Sequence, residues 1–223
     1  IRQVVLSRTY QMASDYDSVN YQTDPDNRYL WRMSKRRLDA ESLRDSMLSV
    51  SSLLNWDRPR GSAVARAGNG QVNRSRNLQA RELLTGNDHR SVFLPIIRDL
   101  VPPSLDLFDY AEPSLVTGKR DVTTVPSQAL YLMNNPYVIR AADSMTRRLF
   151  AEAKTGPERV TLAFQLAYGR NPTDAELEKT RAFFNRYETG PNDDSPRSRY
   201  NKGSAWSSFC QALLCGAEFR YLN

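Results

Sequence analysis

The second half of the chain is punctuated by residues that start and stop helices, and this succession constrains the fold more than any other feature. Pro126 opens "PSQALYLMNN" and Asn134-Asn135 close it; Pro136 then opens "PYVIRAADSMTRRLFAEA", where Val138, Ala141, Ala142, Met145 and Leu149 recur at helical spacing. Pro157 opens "PERVTLAFQLAYG", with Val160, Phe164 and Ala167 on one side and Gly169 as the stop. Thr173 and Glu176 have the spacing of a capping box for "DAELEKTRAFFNRYE", and "SAWSSFCQALLCGAEFRYL" closes the chain as a final helix and short tail. Helices that each carry one apolar stripe must bury those stripes against one another, so the expected fold is mainly α.

The first half is less regular. Asp24-Pro25 before "DNRYLWRM" signals a short helix, and Asp39 caps "AESLRDSMLSVSSLL", whose Ala40, Leu43, Met47, Val50 and Leu54 form an apolar stripe flanked by Arg44 and Asp45. Trp31, Met33, Leu38, Leu43 and Met47 are expected to anchor these two helices, with the arginines around them paired to local acids or facing solvent. A long loop is expected over 55–77, a helical turn in "ARELLTG", and a polar loop over 190–202. "HRSVFLPIIR" reads as extended, and "SLVTGKRDVTTV" as the segment returning to pair with it, with a short proline-initiated helix in "VPPSLDLFDY" between them. The expectation is an irregular helical domain over 1–223 with a small two-stranded β element near residues 91–98 and 119–124. Because the chain begins at Ile1 inside an apolar segment, it is expected to be a piece of a longer protein.

A formal charge of +6, from 31 basic and 25 acidic residues among 223, creates no strong field when dispersed, although the predominance of arginine suits two-pronged recognition of anions. No run approaches the ~18 apolar residues of a membrane span. No zinc-finger, helix-turn-helix, P-loop or Gly-x-Ser-x-Gly pattern is present, so nucleic acid is not an expected partner. Cys210 and Cys215 lie on one predicted helix, too far apart and on different faces for a disulfide. With His89 as the single histidine and no Cys-x-x-Cys-His, the sequence offers neither a paired-histidine metal site nor a haem attachment point.

The densest polar grouping joins Arg90, Arg98, Lys119 and Arg120 to Thr123, Thr124, Gln128 and Asn134. If the two extended segments pair, guanidinium forks and the amides of the helix starting at Pro126 would form an anion site. The structural alternative is that Arg90, Arg98 and Arg120 pair with Asp99, Asp106, Asp109 and Asp121, while Thr124 acts as a cap. Asp106 and Asp109 share a helix face and, with Glu112, are nominal acid-base candidates; His89, with Asp88 and Ser91 beside it, reads as a turn residue.

"NRYLWRMSKRRLDAESLRDSML", "HRSVFLPIIRDLVPPSLDLFDYAEPSLVTGKRDVTTVPSQALYLMNNPYV", "LAYGRNPTDAEL" and "FCQALLCGAEFRYLN", in this order, resemble the C-terminal domain of unknown function numbered fifteen fifty-three, of PSD-one type. The resemblance implies a place in large planctomycete and related bacterial proteins, downstream of a c-type cytochrome region. It further implies export to the periplasm or cell exterior, a haem in the preceding region and none in this segment, and an association with complex, often sulfated, polysaccharides. The expected role is a noncatalytic scaffold or interaction module whose partners are the other domains of its polypeptide and an anionic polysaccharide. The competing expectation is a domain completing the active site of a hydrolase or haem-assisted oxidoreductase.

Overall fold

A computed structural model describes residues 1–61, 87–96, 101–189 and 205–222, which contain ten α-helices, one 3-10 turn and one two-stranded antiparallel sheet. The expected loop at 190–202, the "ARELLTG" turn and most of the 55–77 loop lie outside the described residues. The chain divides into two compact units, Ile1–Leu38 with Ala217–Asn223, and Asp39–Gly216.

In the first unit, helices α1 (Arg2–Val5) and α2 (Ser18–Thr23) precede strand β1 (Arg36–Arg37), which pairs with β2 (Tyr221–Leu222). The expected helix after Asp24-Pro25 is replaced by turns, because Asn27 and Leu30 adopt φ of 55°, which no right-handed helix accommodates. Asp24 still supplies its carboxylate, accepting from the amides of Arg28 (2.9 Å) and Tyr29 (2.7 Å), while its carbonyl accepts from Trp31 Nε1 at 2.9 Å. It therefore caps a turn instead of a helix, and Trp31, Met33 and Leu38 are only half-buried.

The second unit begins at α3 (Ala40–Val50), followed by the 3-10 turn Ser91–Phe93, α4 (Pro103–Asp106), α5 (Pro126–Asn134), α6 (Pro136–Glu152), α7 (Gly156–Tyr168), α8 (Asp174–Thr189) and α9 (Ala205–Cys215). A final short helix, α10 (Ala217–Arg220), belongs to the first unit. The proline start signals fall where expected, and Gly169 ends α7 at φ 71° in the left-handed region, where glycine carries no Cβ penalty. The core forms around α6, whose Val138, Ala141, Ala142, Met145 and Leu149 are fully buried and against which α9 packs along its length. Helix α6 also meets α3, where Arg148 donates to the terminal carbonyls of Ser49 (3.3 Å) and Val50 (3.1 Å), offsetting the negative end of that helix. Cys210 is buried and Cys215 half-buried, both as free thiols.

The small antiparallel sheet exists, but it joins Arg36–Arg37 to Tyr221–Leu222, and the described residues near 91–98 and 119–124 hold no strand. Residues 91–93 form a 3-10 turn because the Ser91 amide is taken by the Asp45 carboxylate at 2.8 Å. In the expected pairing partner the Thr123 amide is taken by Asp109 at 2.9 Å, so each segment has a donor committed away from a ladder. None of the described helices is long and apolar enough to cross a membrane.

Candidate functional site

Helix α3 is apolar on one face and hydroxylated on the other. Leu43, Met47 and Leu48 turn into the core, and Ser42, Asp45, Ser46 and Ser49, three and four residues apart, line the wall of an open groove of about 740 Å³. The facing wall is Arg90 to Ile96, with Val92, Leu94 and Ile96 supplying apolar surface. Trp56 and Leu54, from the segment after α3, and Tyr110 with Arg120 complete it. Trp56 is 69% exposed, a large aromatic left in water at a concave polar surface.

The walls are held together by one buried arginine and one carboxylate. Arg44, 4% exposed, donates to the His89 carbonyl (2.9 Å), the Ser91 hydroxyl (3.1 Å) and the Asn87 carbonyl. Asp45, beside it at 3.4 Å, accepts from the Ser91 amide at 2.8 Å and the Ser91 hydroxyl at 2.6 Å. Residues 87–91 are thereby fastened to α3. The strap carrying Trp56 is fastened in turn: the Asn55 amide donates to the Asp88 carbonyl at 2.8 Å, and His89 Nδ1 lies 2.9 Å from the Asp57 carbonyl.

At the other end Arg120 grips Glu41 with both prongs, at 2.7 and 2.9 Å, and lies over the Tyr110 ring at 5.0 Å. Partial burial pushes the Glu41 carboxyl upward, but the hydrogen bonds from Arg120 and its own amide, with the guanidinium's charge, hold it below its ordinary value. The same bond to Glu41 raises the Arg120 guanidinium above its ordinary value. Asp39, Glu41 and Asp45 stand in the lining against Arg90 and Arg120, so the groove carries a formal charge of about −1 instead of the positive field expected of an anion site.

Among the described residues this arrangement presents hydroxyls, carboxylates and an aromatic face, with no assembled acid-base or nucleophilic pair. Ser91 has Asp45 and Arg44 as partners while the His89 ring is turned to the Asp57 carbonyl, so no imidazole serves the hydroxyl. Glu41 is held ionised, the wrong state for a general acid near neutral pH.

Of the residues singled out from sequence, Arg90 and Arg120 come together in this groove. Lys119 and Thr124 are exposed and outside its lining, and Arg98 lies outside the described residues. Thr123 is bound to Asp109 (2.8 Å from Oγ1), Gln128 is buried and donates to the Leu107 carbonyl at 3.0 Å, and Asn134 folds back on the Leu130 carbonyl at 2.9 Å. Arg120 pairs with Glu41 where the sequence leads one to expect an aspartate. Sequence reasoning missed Glu41, Asp45, Ser91 and Trp56 as parts of a site. The serine spacing along α3 was the available signal; the acceptors of Arg44 in residues 87–91, forty-three or more residues away in sequence, left none.

Among the described residues, no group of three or more His, Cys, Asp or Glu side chains is placed to hold a metal ion. No curated protein and no solved structure matches the chain. The family model described as PSD1, protein of unknown function (DUF1553), matches residues 1–184, a stretch containing every residue of the groove, and the chain belongs to that family.

Proposed function

We propose that this domain is a noncatalytic interaction module that binds a hydroxyl-rich chain, a neutral saccharide, in the groove between α3 and residues 90–96. The observation that carries this reading is the exposed Trp56 indole at a groove walled by serine hydroxyls and ion-paired carboxylates. Sugar rings offer C–H faces to an aromatic plane and hydroxyls to carboxylate and serine acceptors, and a site of about 740 Å³ accommodates two or three such rings. The excess of acid in the groove's lining, Asp39, Glu41 and Asp45 against Arg90 and Arg120, speaks against an anionic polysaccharide here. In this proposal the module anchors the remaining domains of a larger exported polypeptide to a polysaccharide.

The test is calorimetric titration of the full chain with a panel of neutral and sulfated oligosaccharides, repeated with Trp56→Ala. A neutral oligosaccharide is expected to bind, with affinity little affected by salt and at least about tenfold weaker in the variant, equivalent to about 1.4 kcal/mol. No binding of any neutral member at millimolar concentration, or binding indifferent to Trp56→Ala, would overturn the proposal.

A further inference from the structure

A second recess of about 410 Å³ lies in the Asp39–Gly216 unit, formed where α4, the end of α5 and the start of α6 meet Arg44 of α3. Its charged lining among the described residues is Arg44 and Arg140, accompanied by Tyr131 and Tyr137, with Ser104 and Asn135 as small polar groups. The carboxylates that neutralise the two arginines do not line it. Asp88 grips Arg140 bidentately, and Asp45, 3.4 Å from Arg44, lines the first groove. The recess is therefore lined by two arginines whose carboxylate partners, Asp88 and Asp45, are not among its lining residues.

The aromatic rings are arranged around that charge. Both guanidiniums lie over the Tyr137 ring, Arg44 at 5.8 Å and Arg140 at 5.7 Å. The Tyr137 hydroxyl donates to the Arg44 carbonyl at 3.3 Å, and Asn135 Oδ1 accepts the Tyr137 amide at 2.9 Å, which leaves the Asn135 side chain its NH2 to donate. Both phenols are neutral near pH 7 as ordinary tyrosines are, and burial raises them above that ordinary value, Tyr131 to about 12 against the opposing bond to Ser104. Neither hydroxyl therefore adds negative charge to the lining. A volume of about 410 Å³ lies toward the lower end of the range for small-molecule sites and admits a substituted six-membered ring.

We propose that this recess is a second binding site, for a small ring-bearing organic anion. Its ring packs among Tyr131, Tyr137 and the prolines Pro103 and Pro136, and its carboxylate meets the guanidinium of Arg140, with Arg44 behind. Asp88 is then an internal competitor: it occupies the fork that the ligand needs, and it sets the affinity by how readily it yields.

The experiment is titration of the full chain at low ionic strength with benzoate, with benzyl alcohol as the uncharged analogue and inorganic sulfate as the bare anion, followed by ligand-observed NMR and calorimetry. Benzoate is expected to bind at least about tenfold more tightly than either control. Arg140→Gln, at a half-exposed position, is expected to weaken benzoate about tenfold or more, and Asp88→Asn to tighten it several-fold. A merely structural Asp88 would not produce that gain, since losing the carboxylate would then loosen the recess. Equal binding of benzyl alcohol or of sulfate, no binding of benzoate at 10 mM (on the order of 3 kcal/mol), or an Asp88→Asn variant with unchanged or weaker affinity would overturn the proposal. Because the readout involves neither Trp56 nor a saccharide, its failure is separate from failure of the groove reading.

Discussion

Replacing Asp45 by alanine removes the acceptor on which the groove's frame depends. Three donors lose their partner: the Ser91 amide at 2.8 Å, the Ser91 hydroxyl at 2.6 Å and Arg44 Nη1 at 3.4 Å. Ser91 is only 5% exposed, so water does not readily replace the acceptor; its stranded amide costs about 1–3 kcal/mol, while its hydroxyl retains the Glu41 carbonyl at 3.4 Å. Arg44 keeps the His89 carbonyl at 2.9 Å and the Asn87 carbonyl, so its loss is smaller than the ~3–5 kcal/mol of a wholly broken buried pair. The Asp45 side chain is itself 22% exposed, which returns part of the cost through solvation of the gap. The expected destabilisation is about 3 kcal/mol for Asp45→Ala and about 1 kcal/mol for Asp45→Asn, which keeps an oxygen acceptor and loses the charge. In urea unfolding followed by far-ultraviolet circular dichroism, the alanine variant should lose about 1–1.5 M in midpoint for a slope of about 2–3 kcal/mol/M. A loss under about 1 kcal/mol for the alanine variant, or equal losses for the two variants, would refute the assignment of Asp45 as the fastener of residues 87–91.

A Cβ at Gly216 would lie 2.5 Å from the Tyr168 hydroxyl and 3.1 Å from the Leu213 carbonyl, so Gly216→Ala should break the Tyr168–Leu213 hydrogen bond at a cost of about 1–2 kcal/mol. Combining it with Tyr168→Phe should cost less than the two single losses added, as a double-mutant cycle in urea would show. The two-pronged hydrogen bonds from Arg170 hold Glu176 well down, to about 2, with Thr173 contributing and burial opposing. Since the folded value lies below the unfolded one, the contribution of Glu176 is present above about pH 4.5 and is lost as pH falls toward 2; NMR titration of the Glu176 carboxyl should show that midpoint, and Arg170→Ala should move it upward. Burial raises the Cys210 thiol to about 11 despite its bond from Thr146, so native protein should resist alkylation there at pH 8 and react on unfolding, as peptide mass spectrometry of iodoacetamide-treated samples would establish. Leu149→Ala, fully buried on α6, should cost about 2–5 kcal/mol by the same urea assay.

The helices of the second half were legible because their signals are local: Pro126, Pro136 and Pro157 preset the first turn, Gly169 stops α7, and Thr173 with Glu176 caps α8 within one turn of sequence. The sheet was not legible because Arg36–Arg37 pairs with Tyr221–Leu222 across nearly the whole chain, and two-residue strands carry no alternation to read. "HRSVFLPIIR" has the β-branched and aromatic composition of a strand, yet a single side chain from α3, Asp45, takes the amide that would have started a ladder. Arg44 shows the same limit at the site. It lies beside an apolar stripe and reads as a surface residue, but it is buried because three acceptors from residues 87–91 converge on it, an arrangement that only the fold creates.

The claim that the α3 groove receives a neutral saccharide is tested most directly by mapping amide and indole NMR shifts of the full chain during titration with a neutral oligosaccharide. The Trp56 indole N–H and the amides of Ser42, Ser46, Arg90 and Val92 should move together and saturate at one ligand concentration. Shifts that leave Trp56 and the α3 serines unmoved while other surfaces respond, or no shifts at all, would contradict it.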